Sequence, residues 1–179
     1  RTVLDELFSC LTAWLAPILC FTAEEAWLSR NTGDDESVHL RQFPELPDDW
    51  RDDALAEKWE TIRIFRRAVT GALEIERAAK RIGSSLQAAP VIYAGDQYRA
   101  ALDGIDMAEI CITSEAVFGE GDAPRDAHHA DDGSGISVTP ALAEGEKCQR
   151  CWRFMPDVGS LADHLTLCGR CADAVEHFP

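Results

Sequence analysis

The sequence predicts a multi-domain α+β protein, in which an N-terminal helical bundle fragment precedes a small α/β junction unit and a C-terminal module built around four cysteines. Apolar residues recur every three or four positions in the first part, which is typical of helices. Short β-branched runs follow, and two C-x-x-C pairs stand near the end. The predicted domain limits are 1–83, 84–143 and 144–179.

Composition restricts the class of protein. The chain has 179 residues, is 46% hydrophobic, and begins at Arg1 rather than Met, so we expect a globular piece of a longer protein. No apolar run reaches the length of a membrane span, and no cleavage-like motif follows the first residues. We therefore expect a cytoplasmic protein without a membrane partner.

The charge is distributed unevenly. The net charge of −15 is unusual for a nucleic-acid-binding protein. However, residues 58–81 carry seven basic and three acidic side chains, whereas residues 82–144 carry two basic and eleven acidic ones. Because charges are screened beyond about 8 Å at physiological salt, a local basic stripe can still meet phosphate. Net acidity weakens the hypothesis of nucleic-acid binding and leaves it open.

Three helices are predicted in the first domain. Apolar positions at spacings of three and four predict a helix over 1–16, which Pro17 ends. The sequence Thr22-Ala-Glu-Glu25 resembles a capping box and predicts a second helix as far as Arg30. A long helix is predicted from about Asp49 to Arg81, with Gly83 as its stop. The basic residues along it also fit a merely solvated helix face.

The middle of the chain predicts a strand-helix-strand unit. Strands are expected at 89–94 and at 109–113 continuing towards Phe118, with a helix at 97–102 between them and a further strand at 136–140. Residues 119–135 contain little to bury and predict a mobile loop. We expect two histidines in this loop, His128 and His129, to be solvated and not to bind metal. Three cysteines outside the C-terminal pairs are expected to be buried free thiols: Cys10, Cys20 and Cys111.

The cysteine pairs are the most informative motif. Cys148 and Cys151 form the first pair, and sixteen residues separate it from Cys168 and Cys171. Two residues between cysteines let one turn aim both sulfurs at one ion, and Zn²⁺ prefers four tetrahedral ligands. Disulfides, a redox pair or an iron-sulfur cluster are alternatives, but disulfide scaffolds suit small secreted chains. The spacing predicts a C-terminal four-cysteine zinc finger with one structural Zn²⁺.

Several stretches together resemble one enzyme family. Residues 15–27 (LAPILCFTAEEAW) resemble the anticodon-binding helical domain of class I aminoacyl-tRNA synthetases, and residues 37–40 (SVHL) resemble the element that follows it. Residues 80–88 (KRIGSSLQA) resemble the K-x-I-G-S-S-L-E-A signature of the isoleucyl enzymes, and residues 144–171 resemble their C-terminal zinc finger. The departures are Cys20, where proline is frequent, and Gln87, where glutamate is usual.

The resemblance implies the tRNA-binding C-terminal region of an isoleucine–tRNA ligase. The parent enzyme would join isoleucine to its tRNA with ATP, and both small substrates would bind a catalytic domain that this sequence lacks, since the family motifs HIGH and KMSKS are missing. The editing domain is missing as well. We therefore expect no catalytic residue here. The implied partners are the anticodon region of isoleucine-accepting tRNA and the remainder of the same synthetase, in a monomer.

Candidate tRNA contacts follow from this resemblance. Proteins stack unpaired bases on aromatic or guanidinium planes and hold phosphates with Lys and Arg. Such side chains cluster in the finger: Lys147, Arg150, Trp152, Arg153 and Arg170. A second, lower-ranked set lies on the long helix and just after it: Arg63, Arg66, Arg67, Lys80 and Arg81. Trp152 also fits the alternative of a core residue, because a small module has little else to bury.

Three other hypotheses stay open at this point. A valyl or leucyl enzyme shares the helical domain, but residues 80–88 and the terminal finger favour the isoleucyl type. The finger also resembles that of formamidopyrimidine-type DNA glycosylases, which would indicate DNA repair, although the helices before it are of the synthetase kind. The last hypothesis is a stand-alone synthetase-like adaptor that binds tRNA or protein.

Overall fold

A computed structural model describes residues 2–33 and 35–177. The chain divides into two compact units, Arg1–Asp52 and Asp53–Pro179. The first is helical, and the second combines helices, two small sheets and the four-cysteine cluster, which confirms the α+β class. Within the described residues, no helix is long and apolar enough to cross a membrane. The domain limits at 83 and 143 stay predictions.

The first unit is built on two helices, α1 (Thr2–Leu15) and α2 (Cys20–Leu28). Two 3₁₀ turns follow at Val38–Leu40 and Asp48–Trp50. The rings of Phe8 and Trp27 stack between the helices with their centroids 6.1 Å apart. The guanidinium of Arg41 lies 4.0 Å from the centroid of the Trp27 ring, so a cation–π contact extends this stack.

The predicted capping box at Thr22 is wrong. Helix α2 begins at Cys20, with Leu19 as its N-cap and no side-chain cap. The amide of Leu19 donates to the carbonyl of Leu15 at 2.7 Å, so a tight backbone turn joins the helices without a capping side chain. The prediction that Cys20 is buried is also wrong, because its side chain is exposed; Cys10 and Cys111 are buried as expected.

The second unit is organised on helix α3 (Asp53–Ala78), which ends before the predicted stop at Gly83. The chain leaves the helix through Lys80, whose φ of 57° lies in the left-handed region. The helix buries apolar side chains against α4 (Asp96–Ala101) and a four-stranded sheet: Ile62, Phe65, Val69 and Leu73. The core of this unit therefore lies between α3 and the sheet.

The sheet has the order β2-β1-β4-β3. Its strands are β1 (Val91–Tyr93), β2 (Val117–Phe118), β3 (His128–His129) and β4 (Ser137–Thr139). Strand β1 runs parallel to β2, with Val91 opposite Val117, and antiparallel to β4. Strand β3 pairs with β4 in antiparallel fashion, with His128 opposite Val138.

The strand predicted at 109–113 is wrong, because these residues lie in and just beyond helix α5 (Met107–Cys111). Asp106 caps this helix, and its Oδ1 accepts a hydrogen bond of 2.8 Å from the amide of Ala108. The helix ends at Cys111, and the next residue, Ile112, caps it with a left-handed φ of 56°. A local cap therefore outweighs the β-branched side chains that suggested a strand.

The expectation of solvated histidines is wrong for His128, which is half-buried, whereas His129 is exposed as expected. His128 Nε2 lies 3.1 Å from Glu76 Oε1, and His129 Nδ1 lies 2.8 Å from the Ser137 hydroxyl oxygen. The segment 119–135 also buries Ala127. Its histidines thus link the segment to α3 and β4, and the mobility of the segment stays a prediction.

Candidate metal centre and nucleic-acid interface

The four cysteines lie on two short turns of the second unit. Strands β5 (Glu146–Lys147) and β6 (Phe154–Met155) form a hairpin in which Lys147 pairs with Phe154. The turn of this hairpin carries Cys148 and Cys151. The second pair stands where helix α6 (Gly169–His177) begins.

Backbone hydrogen bonds shape the first turn. The amide of Cys148 donates to the carbonyl of Arg153, and the amide of Trp152 donates to the carbonyl of Cys148, both at 2.9 Å. Trp152 closes the turn with a left-handed φ of 66°, which is rare for a bulky residue. Its ring is carried to the surface, where 59% of the residue is exposed. The alternative of a core tryptophan is therefore wrong.

The second turn is held against the first. The amide of Cys168 donates to Cys148 Sγ at 3.4 Å, and the amide of Cys171 donates to the carbonyl of Cys168 at 2.9 Å. Gly169, which the sequence places between the ligands, donates its amide to Asp157 Oδ2 at 2.8 Å. Hydrogen bonds of the backbone amides, including one to the Asp157 side chain, thus orient the second pair.

The sulfur geometry fits a metal ion. The four Sγ atoms all lie within 4.8 Å of one another, and Cys151 Sγ lies 3.8 Å from Cys168 Sγ. Thiolates at about 2.3 Å from a tetrahedral ion stand about 3.8 Å apart. Disulfide sulfurs are only about 2.05 Å apart, so the observed spacing is that of metal ligands. The four ligands would close the coordination sphere of one ion.

The electrostatic environment of the thiols is mixed. Burial raises the pKa of the Cys168 thiol to about 12. Burial acts in the same direction on Cys148, but backbone amides of Cys151, Cys168 and Arg150 outweigh it and lower the pKa of Cys148 to about 6. Binding of a cation by the four sulfurs would favour the thiolate form of each of them.

An aromatic and cationic pair stands beside the hairpin turn 148–152, which carries Cys148 and Cys151 and which we call the metal turn. Lys147 Nζ lies 5.1 Å from the centroid of the Trp152 ring. Both residues line a cleft of about 390 Å³ whose other wall is the segment 83–87. The cleft is lined by Gly83, Ser84, Leu86, Gln87, Lys147, Trp152 and Phe154. We refer to these seven residues as the finger cleft.

The three arginines of the finger that the sequence suggested for tRNA binding have partners within the protein. Arg150 is exposed, and its Nη1 lies 3.8 Å from Cys171 Sγ. Arg170 pairs with Glu109, and the pKa of Arg170 is raised first by this hydrogen bond. Arg153 donates from Nε and Nη2 to the carbonyl of Ser114 at 3.1 and 2.5 Å, and only 17% of its side chain is exposed. Among the three, Arg153 is the most fully engaged within the protein.

The helix candidates are partly engaged as well. Arg63 pairs with Glu60 on the same helix, and Arg66 Nε donates to the carbonyl of Ile110 at 2.9 Å. Arg67 and Lys80 are exposed. Arg81 is bound to Glu76 through two hydrogen bonds. Their contact with tRNA stays a prediction, and the finger cleft does not include them.

Three residues at the finger cleft were missed in the sequence. Ser84 and Gln87, which line the finger cleft, form a capping box at the 3₁₀ turn Ser85–Gln87. The S-x-x-Q pattern could have revealed them, since it is the signature of such a cap. Ser114, whose hydroxyl accepts a hydrogen bond from the Phe154 amide of the finger, lies next to the wrongly predicted strand. No local sequence pattern marks this serine as a contributor.

Family comparisons identify both parts of the chain. The model described as the anticodon-binding domain of tRNA ligase matches residues 1–93. The chain belongs to this family of anticodon-binding domains. A second model, described as a zinc finger found in FPG and IleRS, matches residues 145–174.

Curated proteins resemble this member of the anticodon-binding family over most or nearly all of the chain. It is 52% identical over 178 residues to an isoleucine–tRNA ligase of Agrobacterium fabrum, which covers 99% of the chain and 18% of that protein. The corresponding ligase of Brucella abortus is 51% identical over 174 residues, or 97% of the chain and 18% of the relative. The isoleucine–tRNA ligase of Mesorhizobium japonicum is 53% identical over 161 residues, which cover 88% of the chain and 16% of that protein.

These findings confirm the resemblance to the C-terminal region of bacterial isoleucyl-tRNA synthetases. The chain spans about one fifth of the length of the curated relatives that it matches. The glycosylase hypothesis rests on the finger alone, because the match over residues 1–93 is to a tRNA ligase domain.

Proposed function

We propose that this chain holds the anticodon end of isoleucine-accepting tRNA as the C-terminal region of an isoleucine–tRNA ligase. The ATP-dependent ligation would be carried out by other parts of that enzyme. Similarity to isoleucine–tRNA ligases along 97–99% of the chain supports the assignment. A monomeric state and a cytoplasmic location belong to the same proposal.

One structural observation carries the RNA-binding role. The exposed Trp152 and the ammonium of Lys147 stand together at the finger cleft, Trp152 on the turn that carries Cys148 and Cys151, and Lys147 at the end of β5 just before it. An exposed aromatic face next to a cation can stack an unpaired base and attract the adjoining phosphate. Such bases are available in an anticodon loop.

In this proposal the bound metal is Zn²⁺, and its role is structural. Cys148, Cys151, Cys168 and Cys171 would hold it, and four thiolates leave no coordination position for an activated water. The ion would supply binding energy that folds the finger. The residues of the finger then present Trp152 and Lys147 in fixed orientation.

Binding to defined tRNAs tests the proposal. The chain, loaded with Zn²⁺, is titrated with isoleucine-accepting tRNA and with the same tRNA carrying a substituted anticodon. We expect tighter binding of the unaltered tRNA and a decrease in affinity as salt rises. Equal affinity for both RNAs would contradict anticodon recognition. Preferential binding of duplex DNA containing a damaged base would favour the glycosylase hypothesis instead.

A further inference from the structure

Ser114 joins the two walls of the finger cleft. Its hydroxyl donates to the carbonyl of Leu86 at 2.5 Å and accepts from the amide of Phe154 at 2.6 Å. Leu86 lies on the wall formed by segment 83–87, and Phe154 lies on the finger wall. A single side-chain oxygen therefore connects both walls.

The backbone of Ser114 adds further connections. Its amide donates to the carbonyl of Ala88 at 3.1 Å, and its carbonyl accepts the two hydrogen bonds from Arg153. Arg153 Nη1 also lies 3.8 Å from Asp106 Oδ2. Ser114 is only 2% exposed, so its polar groups exchange water for these protein partners. We refer to Ser114 and Arg153, with their partners Leu86, Phe154 and Asp106, as the Ser114 joint.

The joint adjoins the metal turn directly. Arg153 follows Trp152 in the chain, and the Arg153 carbonyl accepts the amide of Cys148. The metal would fix the shape of the turn, whereas the joint fixes the turn to the α/β part of the unit. A charged hydrogen bond with two donors to one carbonyl restricts the angle as well as the distance.

We propose that Ser114 and Arg153 are positioning residues for RNA, which set the width of the finger cleft and the orientation of the Trp152 ring without contacting RNA themselves. This rests on the proposed tRNA-binding function. It assigns Arg153 a role different from the phosphate contact that its sequence position suggests. A buried serine cannot contact RNA, so any effect of its substitution on binding must act through the joint.

Two conservative variants test the proposal. Ser114→Ala removes only the hydroxyl, and Arg153→Lys keeps the charge but loses the two-donor geometry. Ser29→Ala and Arg125→Lys are matched controls at exposed positions. Each protein is assayed for bound zinc, for exchange of the Phe154 amide proton, and for affinity for isoleucine-accepting tRNA.

We expect both test variants to keep one zinc ion, to exchange the Phe154 amide faster, and to bind tRNA about tenfold more weakly than the wild type. The double variant should lose less affinity than the product of the single losses, because both changes act on one joint. The two controls should match the wild type in all three measurements.

Unchanged tRNA affinity in Ser114→Ala, with faster Phe154 exchange, would overturn the positioning role. Loss of zinc from both variants would also overturn it, since the joint would then be needed only to fold the finger. A wild-type protein that fails to bind tRNA would instead refute the proposed function, and with it this inference.

Discussion

Arg81 donates two hydrogen bonds to the carboxylate of Glu76, of 2.5 Å from Nε and 2.6 Å from Nη2. Glu76 lies on the buried side of α3, and His128 Nε2 stands 3.1 Å from the same carboxylate. Glu76 therefore connects the end of the long helix with both Arg81 and, through His128, strand β3. Arg81, which the sequence suggested for tRNA binding, thus has an ion-pair partner within the protein although its side chain is 58% exposed.

This pair predicts a specific acid sensitivity. The hydrogen bond from Arg81 is the main cause that lowers the pKa of Glu76 to about 2, against an opposing effect of burial and with a further contribution from His128. A lowered pKa contributes stability above the unfolded value of about 4.3, which is lost as the pH falls towards the folded value. We expect the free energy of unfolding to decrease between about pH 5 and pH 2.

Urea unfolding across this pH range measures the effect. Glu76→Gln should be less stable than the wild type at pH 7 and should show a smaller pH dependence between pH 5 and pH 2. Glu74→Gln, which removes an exposed partner of Arg77 on the same helix, is the control and should behave as the wild type. Parallel pH profiles for Glu76→Gln and the wild type would contradict the assignment.

Metal removal should unfold the finger and spare the helices. Because a small metal module folds on the binding energy of its ion, chelation should abolish the tertiary signal of Trp152 while most of the helical circular dichroism persists. Cys168→Ser should lose the metal, whereas Cys20→Ser, at an exposed thiol outside the cluster, should retain it. Metal content measured by atomic spectroscopy distinguishes the two. Retention of the ion by Cys168→Ser would be evidence against four-cysteine coordination.

Gly145 is required by the approach of β6. It has φ of 93°, and a Cβ atom there would stand 2.3 Å from the backbone carbonyl of Met155. Gly145→Ala should therefore destabilise the finger by more than the roughly 1–2 kcal/mol of left-handed strain alone. Gly121→Ala is the matched control, since Gly121 has φ of 69° and open space around its Cα. Thermal unfolding of both variants separates the effect of the clash from that of the backbone strain. Equal losses of stability in the two variants would indicate that the Met155 backbone moves away without a measurable cost.

Trp152 should contribute to tRNA affinity through its ring. Stacking on an aromatic side chain is worth about 1–3 kcal/mol per base, so Trp152→Ala should weaken binding by about 5- to 150-fold. Trp152→Phe should recover part of this loss, because it keeps a flat ring. Trp50→Ala removes a comparably exposed tryptophan, 54% against 59%, outside the finger, and it should weaken binding less than Trp152→Ala does. Filter binding with isoleucine-accepting tRNA measures all three, and an unaffected Trp152→Ala would remove the ring from the interface.

Features with local causes were predictable from the sequence. Two C-x-x-C pairs bring four sulfurs together through the turns that contain them, so the candidate metal ligands could be named without a structure. Apolar spacing likewise predicted α1 and α3, because a helix repeats every 3.6 residues. The helix ends were displaced by a few residues, since caps and turns depend on neighbouring segments.

Roles that depend on distant partners were decided only by the tertiary structure. Glu76 meets His128 across 52 positions, and the Ser114 hydroxyl meets the Phe154 amide across 40. Residues 109–113 favour a strand by composition, yet the cap at Asp106 makes a helix of most of them. Sequence patterns report local preference and residue chemistry. Whether an arginine is available to RNA or is bound within the protein depends on which carbonyl or carboxylate folding brings within its reach.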